Sequence, residues 1–399
     1  MTSSNTPLTG RITTFRGLKI AVAAVLATTT VLAFAGCAST TPTAKGTSTG
    51  GASAQVSAAQ KAVDQLKAKP ASVVLSLSPL TKSASLHGKT IFLIPLADQI
   101  FNVNVSSMQS AVKAAGGQTQ VCDGQANPST IDSCFKQAIT AGAYGAITFG
   151  IPYQMVPNSY AALAAAKIPT VASFQDPQGA STNKYLAFQP SSPFLTTALK
   201  ASAEYAIAAS KGKANVLYIG STDSATIEAV GTATHDVISA NCSGCTFTDA
   251  SIPTAQISSL GSVVSAKLLS NPSLNWSLEL SVALFADPVA AAIQSAGKTS
   301  SISVGGAESG AVGPLQGVQS GTVKFVTIFS PDLVSWNALD TFLRLANGQS
   351  IPSKYPSVAR IVDKSNVGDL TLTDAAGVGY DWFGNPTFHA QYLKLWGVN

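Results

Sequence analysis

From Lys89 onward, apolar runs and helical patterns alternate so closely that few folds can hold the chain. The stretch Lys89 to Asn102 shows the pattern first. An apolar run from Ile91 to Leu96 stops at a polar loop bearing an aromatic residue, after which Val105, Met108 and Val112 fall on one helical face. The spacing predicts a buried parallel strand that delivers a loop into a helix. In open α/β sheets, ligands sit in the crevice outside the carboxyl ends of the strands, so Asp98, Gln99, Phe101 and Asn102 are placed at a binding edge.

The same alternation continues. A helix over Val105 to Ala115, closed by Gly116-Gly117, is followed by a strand over Thr119 to Cys122 and a helix with Ile131, Cys134, Phe135 and Ala138 on one face. A strand over Gly145 to Gly150, a helix over Ser159 to Ala166 and a strand over Thr170 to Ser173 complete one set. A second set has helices over Ser192 to Ala208, Asp223 to Ala240, Ile257 to Leu269 and Pro288 to Ala296. Its strands run over Ala214 to Ile219, Thr246 to Ala250, Ser277 to Phe285 and Ser301 to Gly305. Alternation of this kind gives parallel sheets flanked by helices, and two sets of similar size predict an α/β chain of two Rossmann-like lobes with a cleft between them.

The segment before this body has a different character. Arg11, Arg16 and Lys19 precede an apolar run from Ile20 to Phe34 and the small residues Ala35-Gly36, the layout of an export signal over residues 1–36. Phe34-Ala35-Gly36-Cys37 resembles the bacterial lipobox, with Phe where Leu is usual. The resemblance implies that Cys37 is lipidated and that the protein is anchored on the extracytoplasmic face of the cell membrane; the other reading is an ordinary secretory signal followed by a chance cysteine. Residues 37–54, rich in Ser, Thr and Gly, are expected to be a flexible tether. Residues 55–87 are expected to be an N-terminal extension whose helix, Gln55 to Lys69, ends at Pro70. Beyond residue 36 no window carries the roughly 18 uninterrupted apolar residues of a membrane-spanning helix.

Charge excludes one class of partner. The chain is 46% hydrophobic and 11% charged with a net charge of +5, which falls to +2 once the leader and its three basic residues are removed. The remaining basic residues are scattered, so nucleic acid is not expected as a partner. With Cys37 assigned to lipid, Cys122, Cys134, Cys242 and Cys245 remain, an even number that reads as two disulfides in an oxidising compartment. A Cys122–Cys134 bridge would pin the loop between a strand and its helix. Cys242 and Cys245 can form a tight-loop disulfide, a redox pair or half of a zinc site. His87, His235 and His389 stand in no ligand spacing, so no metal is expected. The sequence holds no H-E-x-x-H or phosphate-loop motif, which argues against an enzyme; no cofactor is expected.

The phrases TQVCDGQANPSTIDSCFKQAITAGAYGAITFGIP, AALAAAKIPTV, VALFADPVAAAIQSAGK and LRLANGQSIP resemble type I periplasmic binding proteins of the ribose and galactose group, over roughly residues 88–366. The resemblance implies an N-terminal lobe of residues 88–188 plus 329–352 and a C-terminal lobe of 189–328 plus 353–366. A three-segment hinge would lie near Phe188 to Pro190, Phe329 to Pro331 and Ile351 to Tyr355. It also implies a monomeric receptor that closes on a small-molecule ligand and delivers it to the permease and ATPase subunits of an ABC transporter. A sensor that presents its closed form to a signalling partner is the alternative.

Matched to that family, Phe101 stands at a stacking aromatic, Phe174-Gln175 replaces an Asp-Arg pair, and Glu228 stands near a ligand-binding Arg. Ala286-Asp287 replaces Asn-Asp, Ala307 replaces an Asp, and Phe329 stands near a polar hinge residue. The expected cleft is aromatic and sparsely polar, built from Phe101, Tyr153, Phe174, Phe285 and Phe329 with Asp98, Asn102, Gln175, Glu228, Asp287 and Glu308. It suits a sugar-like ligand or a less polar one with an aromatic face. Structural roles compete at several positions. Phe174 and Phe285 can be core, Glu228 a solvated helix face, and Asp287 the N-cap of a helix beginning at Pro288. The tail, 367–399, is dense in aromatic residues from Trp382 to Trp396 and either packs back on the body or binds a partner.

Overall fold

The computed structural model describes residues 49–398 apart from 178, 179 and 181; the leader, Cys37 and most of the expected tether lie outside them. Helix α1 (Thr49–Lys67) begins within the stretch expected to be tether and leads through an irregular segment into the first lobe. There the order is β1 (Thr90–Pro95), α2 (Asp98–Ala114), β2 (Gln118–Val121), α3 (Pro128–Thr140), β3 (Gly145–Phe149), α4 (Pro157–Ala165), β4 (Thr170–Ser173) and β5 (Leu186–Gln189). The second lobe follows with α5 (Ser192–Ala209), β6 (Asn215–Ile219), α6 (Ala225–Asn241), β7 (Thr246–Asp249), α7 (Leu260–Ser270), β8 (Trp276–Glu279), α8 (Val282–Ser295), β9 (Ser303–Glu308), α9 (Val312–Ser320) and β10 (Phe325–Phe329). The chain ends with α10 (Pro331–Ala346), β11 (Ala359–Asp363), α11 (Asp374–Val378) and α12 (Phe388–Trp396).

Two sheets result. The first has the order β2-β1-β3-β4-β5 and is parallel throughout; the second has the order β11-β10-β9-β8-β6-β7 and is parallel except for its antiparallel edge strand β11. β1 is buried from Ile91 to Pro95, as a central parallel strand covered by helices on both faces must be. The loop after β2 is set by local chemistry: Asn127 caps α3 by accepting from the Ser129 and Thr130 amides, Pro128 occupies the first turn, and a Cys122–Cys134 disulfide ties the strand end to the helix. Cys242 and Cys245 are also bridged, closing the turn between α6 and β7.

The segment expected as a strand over Ser277 to Phe285 divides differently. Only Trp276–Glu279 is strand, and α8 starts at Val282 with Pro288 inside it. Val282, Phe285, Val289 and Ile293 are buried at helical spacing, and that burial outweighs the hydrogen bond lost at Pro288. Asp287 is therefore an exposed residue within a helix and not an N-cap.

Helix α10 departs from the usual amphipathic plan. It follows a strand of the second sheet yet packs on α2 and on β3, β4 and β5 of the first lobe, and it is buried from Pro331 to Leu345, including Asp332, Asn337, Asp340 and Arg344. Both chain ends cover its outer side. Arg344 pairs with Asp340 at 2.7 Å and donates to the Ser78 carbonyl, Trp396 donates to Asp340 at 2.8 Å, and His389 meets Asp332 at 2.7 Å. The tail thus packs back on the body, with Trp336 and Trp396 stacked at 5.3 Å.

Candidate functional site

The carboxyl ends of the two sheets meet, and one carboxylate shows how closely. Asp176 follows β4 in the first lobe, is buried, and accepts from Ser192 at the start of α5 and from Ser224, the N-cap of α6, both in the second lobe. Burial pushes its carboxyl above the usual range while the two hydroxyl donors oppose that rise. Two residues earlier, Phe174 sits in left-handed backbone at φ 58°, a conformation costing a non-glycine residue about 1 kcal/mol or more. Its ring is half-buried and touches the cores of both lobes, which holds it there.

Phe101 completes the edge. It lies in the first turn of α2, half-buried, with its ring centroid 5.6 Å from Phe174 and 6.4 Å from Phe149. Gly150, at φ 69°, makes this possible, because a Cβ there would stand 2.3 Å from the Phe101 ring. Tyr153 is half-buried farther along the same edge, stacked on Tyr160 at 5.4 Å. Gln175 is half-buried and its amide donates to the Gln189 carbonyl. The structure therefore brings Phe101 and Phe174 together, with Gln175 next in sequence to Phe174, while Tyr153 packs with Tyr160 and Phe188 in another cluster of the first lobe.

The remaining expected site residues have other surroundings. Phe285 is fully buried in the second-lobe core, and Phe329 is buried and stacked on Phe194 at 6.0 Å. Glu308 is buried and spends its oxygens on the start of α8: Oε2 accepts from the Ala283 amide at 2.9 Å and from Ser281, and Oε1 accepts from the Ser309 amide. A carboxyl group there satisfies the orphan amides of a helix N-terminus; burial still holds its pKa above the usual value, with those hydrogen bonds opposing the rise. Asp98 is exposed in the first turn of α2, Glu228 is exposed in the first turn of α6, and Asp287 is exposed on α8. Asn102 donates to Asp374 of the tail at 3.1 Å. Asp176 and Gly150 are the residues that sequence reasoning missed; a buried Asp directly after the strand-ending Phe174-Gln175 was the available signal. Among the described residues no group of three or more His, Cys, Asp or Glu side chains could hold a metal ion.

No family model and no curated protein sequence matches the chain. Solved structures do. GanP, a glucose-galactose binding protein from Geobacillus stearothermophilus, superposes with a TM-score of 0.57 at 18% identity, covering 70% of this chain and 98% of its own. A carbohydrate transporter from Acidothermus cellulolyticus in complex with myo-inositol gives 0.54 at 18% identity over 73% and 99%. A 5-methylthioribose transporter solute-binding protein from Thermotoga lettingae gives 0.57 at 13% identity over 80% and 99%. The fold is that of a type I periplasmic solute-binding protein. The solved neighbours are covered almost end to end, while a substantial part of this chain has no counterpart in them.

Proposed function

We propose that the chain is an extracytoplasmic receptor, lipid-anchored through Cys37, that captures a small molecule between its lobes by hinge closure and delivers it to the permease and ATPase subunits of an ABC importer. The observation that carries this reading is the meeting of the two carboxyl edges around Asp176, with Phe101 and Phe174 paired beside it. Aromatic faces suit the apolar face of a sugar ring or of a less polar ligand. The solved neighbours include proteins named for, or bound to, glucose and galactose, myo-inositol and 5-methylthioribose, which supports a ligand of that size.

Charge narrows the ligand further. The loops leaving the carboxyl ends of β1, β2, β3, β6, β7, β8, β9 and β10 contain no Lys, Arg or His, whereas Asp123 and Asp223 lie in them and Asp98, Asp249 and Glu308 border them. Lys89, Lys213 and Lys324 instead immediately precede or lie close before the starts of β1, β6 and β10, at the opposite edges. The β4–β5 connection does contain Lys184, but it stands two residues before the start of β5, at the opposite edge; a carboxyl edge rich in acids disfavours anions, so the ligand is neutral or carries an amine. Thermal-shift screening tests this with neutral sugars and polyols, thio-sugars and nucleosides, aromatic amines, uronates and sugar phosphates. A neutral or amine-bearing compound should raise the melting temperature as its concentration passes Kd, with no response to the anions. No response to any class would sink the receptor reading.

A further inference from the structure

We infer that the two ends of the chain form a clasp across the hinge, which ties the lobes together and sets how far the cleft can open. Among the described residues the chain passes between the lobes five times. Three passages join the alternating elements: β5 to α5, β10 to α10 and α10 to β11. The other two belong to the ends. At the amino end, α1 lies on α5, α6 and β11 of the second lobe, with the Lys67 ammonium 2.6 Å from Asp363. The chain then runs onto the first lobe, where the Ser78 carbonyl accepts from Arg344, the Leu80 amide donates to the Leu395 carbonyl at 2.8 Å and the Ala84 amide donates to the Trp396 carbonyl at 2.9 Å. At the carboxyl end, residues 367–369 pack on α9 of the second lobe, and α11 then packs on α2 and α10 of the first.

Two side chains lock these passages. Arg360 of β11, itself buried, donates from Nε to the Lys67 carbonyl at 3.2 Å and from Nη1 to the Trp382 carbonyl at 2.6 Å, so one planar guanidinium holds both ends. Trp382 is fully buried, donates to the Thr371 carbonyl at 2.8 Å, and lies against Gly377 of the tail and Gly310 at the end of β9, beside Pro331 at the start of α10. Around it the apolar interior is continuous: one cluster contains Ile91 and Met108 of the first lobe, Trp382, Phe383 and Tyr380 of the tail, and Leu315 and Ile328 of the second lobe. Swinging the lobes apart must shear that dry contact, whereas a hinge of bare loops would bend freely. The clasp also reaches the binding edge itself, because Asp374 of α11 holds the side chain of Asn102, the neighbour of Phe101.

The clasp stands on packing alone and holds whatever the ligand is. It is tested by electron–electron resonance between spin labels at Gln109→Cys on α2 and Leu269→Cys on α7, both exposed, in the full chain after dialysis and with no ligand added. The otherwise wild-type chain should give one narrow distance distribution, and Trp382→Ala should broaden it and shift its mean. Arg360→Lys keeps the charge but cannot bridge both carbonyls; it should act in the same direction to a smaller extent, and it serves if Trp382→Ala does not fold. A broad or two-peaked distribution in the wild-type chain, or an unchanged one in a folded clasp variant, overturns the inference.

Discussion

Glu279 offers a direct test of the energetics of the second lobe. It ends β8 with no exposure; its Oε1 accepts from Ser277 at 3.4 Å, and its Oε2 has no hydrogen-bond partner. Burial pushes its carboxyl well above the usual value of 4.5, which favours the neutral acid in the folded chain. The unfolded chain ionises it near the usual value. The stability it contributes is therefore fully present below that value and is lost as pH rises toward and through the folded pKa. Over that window the loss is at most about 1.4 kcal/mol per pH unit. Glu279→Gln keeps the shape and removes the titration. Urea unfolding of both proteins at pH 5 and pH 7 should show the gap moving in favour of the Gln variant between the two pH values, by at most about 1.4 kcal/mol per pH unit. Any fixed cost of the new amide is the same at both, so the change in the gap carries the information. A gap that stays constant refutes a neutral buried Glu279.

Three shorter tests address other parts of the molecule. Replacing Cys37 with Ser should move the protein from the membrane fraction to the soluble fraction, and unchanged retention contradicts lipidation. Cys122→Ser combined with Cys134→Ser opens a link spanning 12 residues and should lower unfolding stability by about 2–3 kcal/mol in urea melts, while an unaltered midpoint would show that the bridge stabilises nothing. Gly150→Ala drives a methyl into the Phe101 ring at a positive-φ position; it should weaken binding of any compound that stabilises the wild-type chain while leaving the circular dichroism spectrum intact, and undiminished affinity would place Phe101 outside the site.

The fold was readable because a buried parallel strand such as Ile91 to Pro95 and a one-faced helix such as α3 declare themselves over a few neighbouring residues. The run from Ser277 to Phe285 misled because an apolar stretch buried on all sides has no period, and only the packing of Phe285, within α8, against the second-lobe core decides where strand ends and helix begins. Phe101 was legible as an aromatic residue in the segment after β1, and Phe174 as one directly after β4. Asp176 was not, since what makes it matter, the hydroxyls of Ser192 and Ser224, comes from the other lobe. The polar residues of α10 hide their burial for the same reason: Asp340 is satisfied by Arg344 four residues on, but also by Tyr355 and by Trp396 near the end of the chain.

The pairing of Leu80 with Leu395 and of Ala84 with Trp396 also bears on when the molecule can be finished. A chain made from its amino end has every strand of the first sheet in hand by Gln189, yet the cover of that lobe is supplied by α10 and α12, which are made after the whole second lobe. Until α12 arrives, the apolar side of α10 around Trp336 and the backbone of residues 80–84 lack their partners. Completion of the first lobe thus waits until α12 has been made, after the second lobe has every one of its parallel strands.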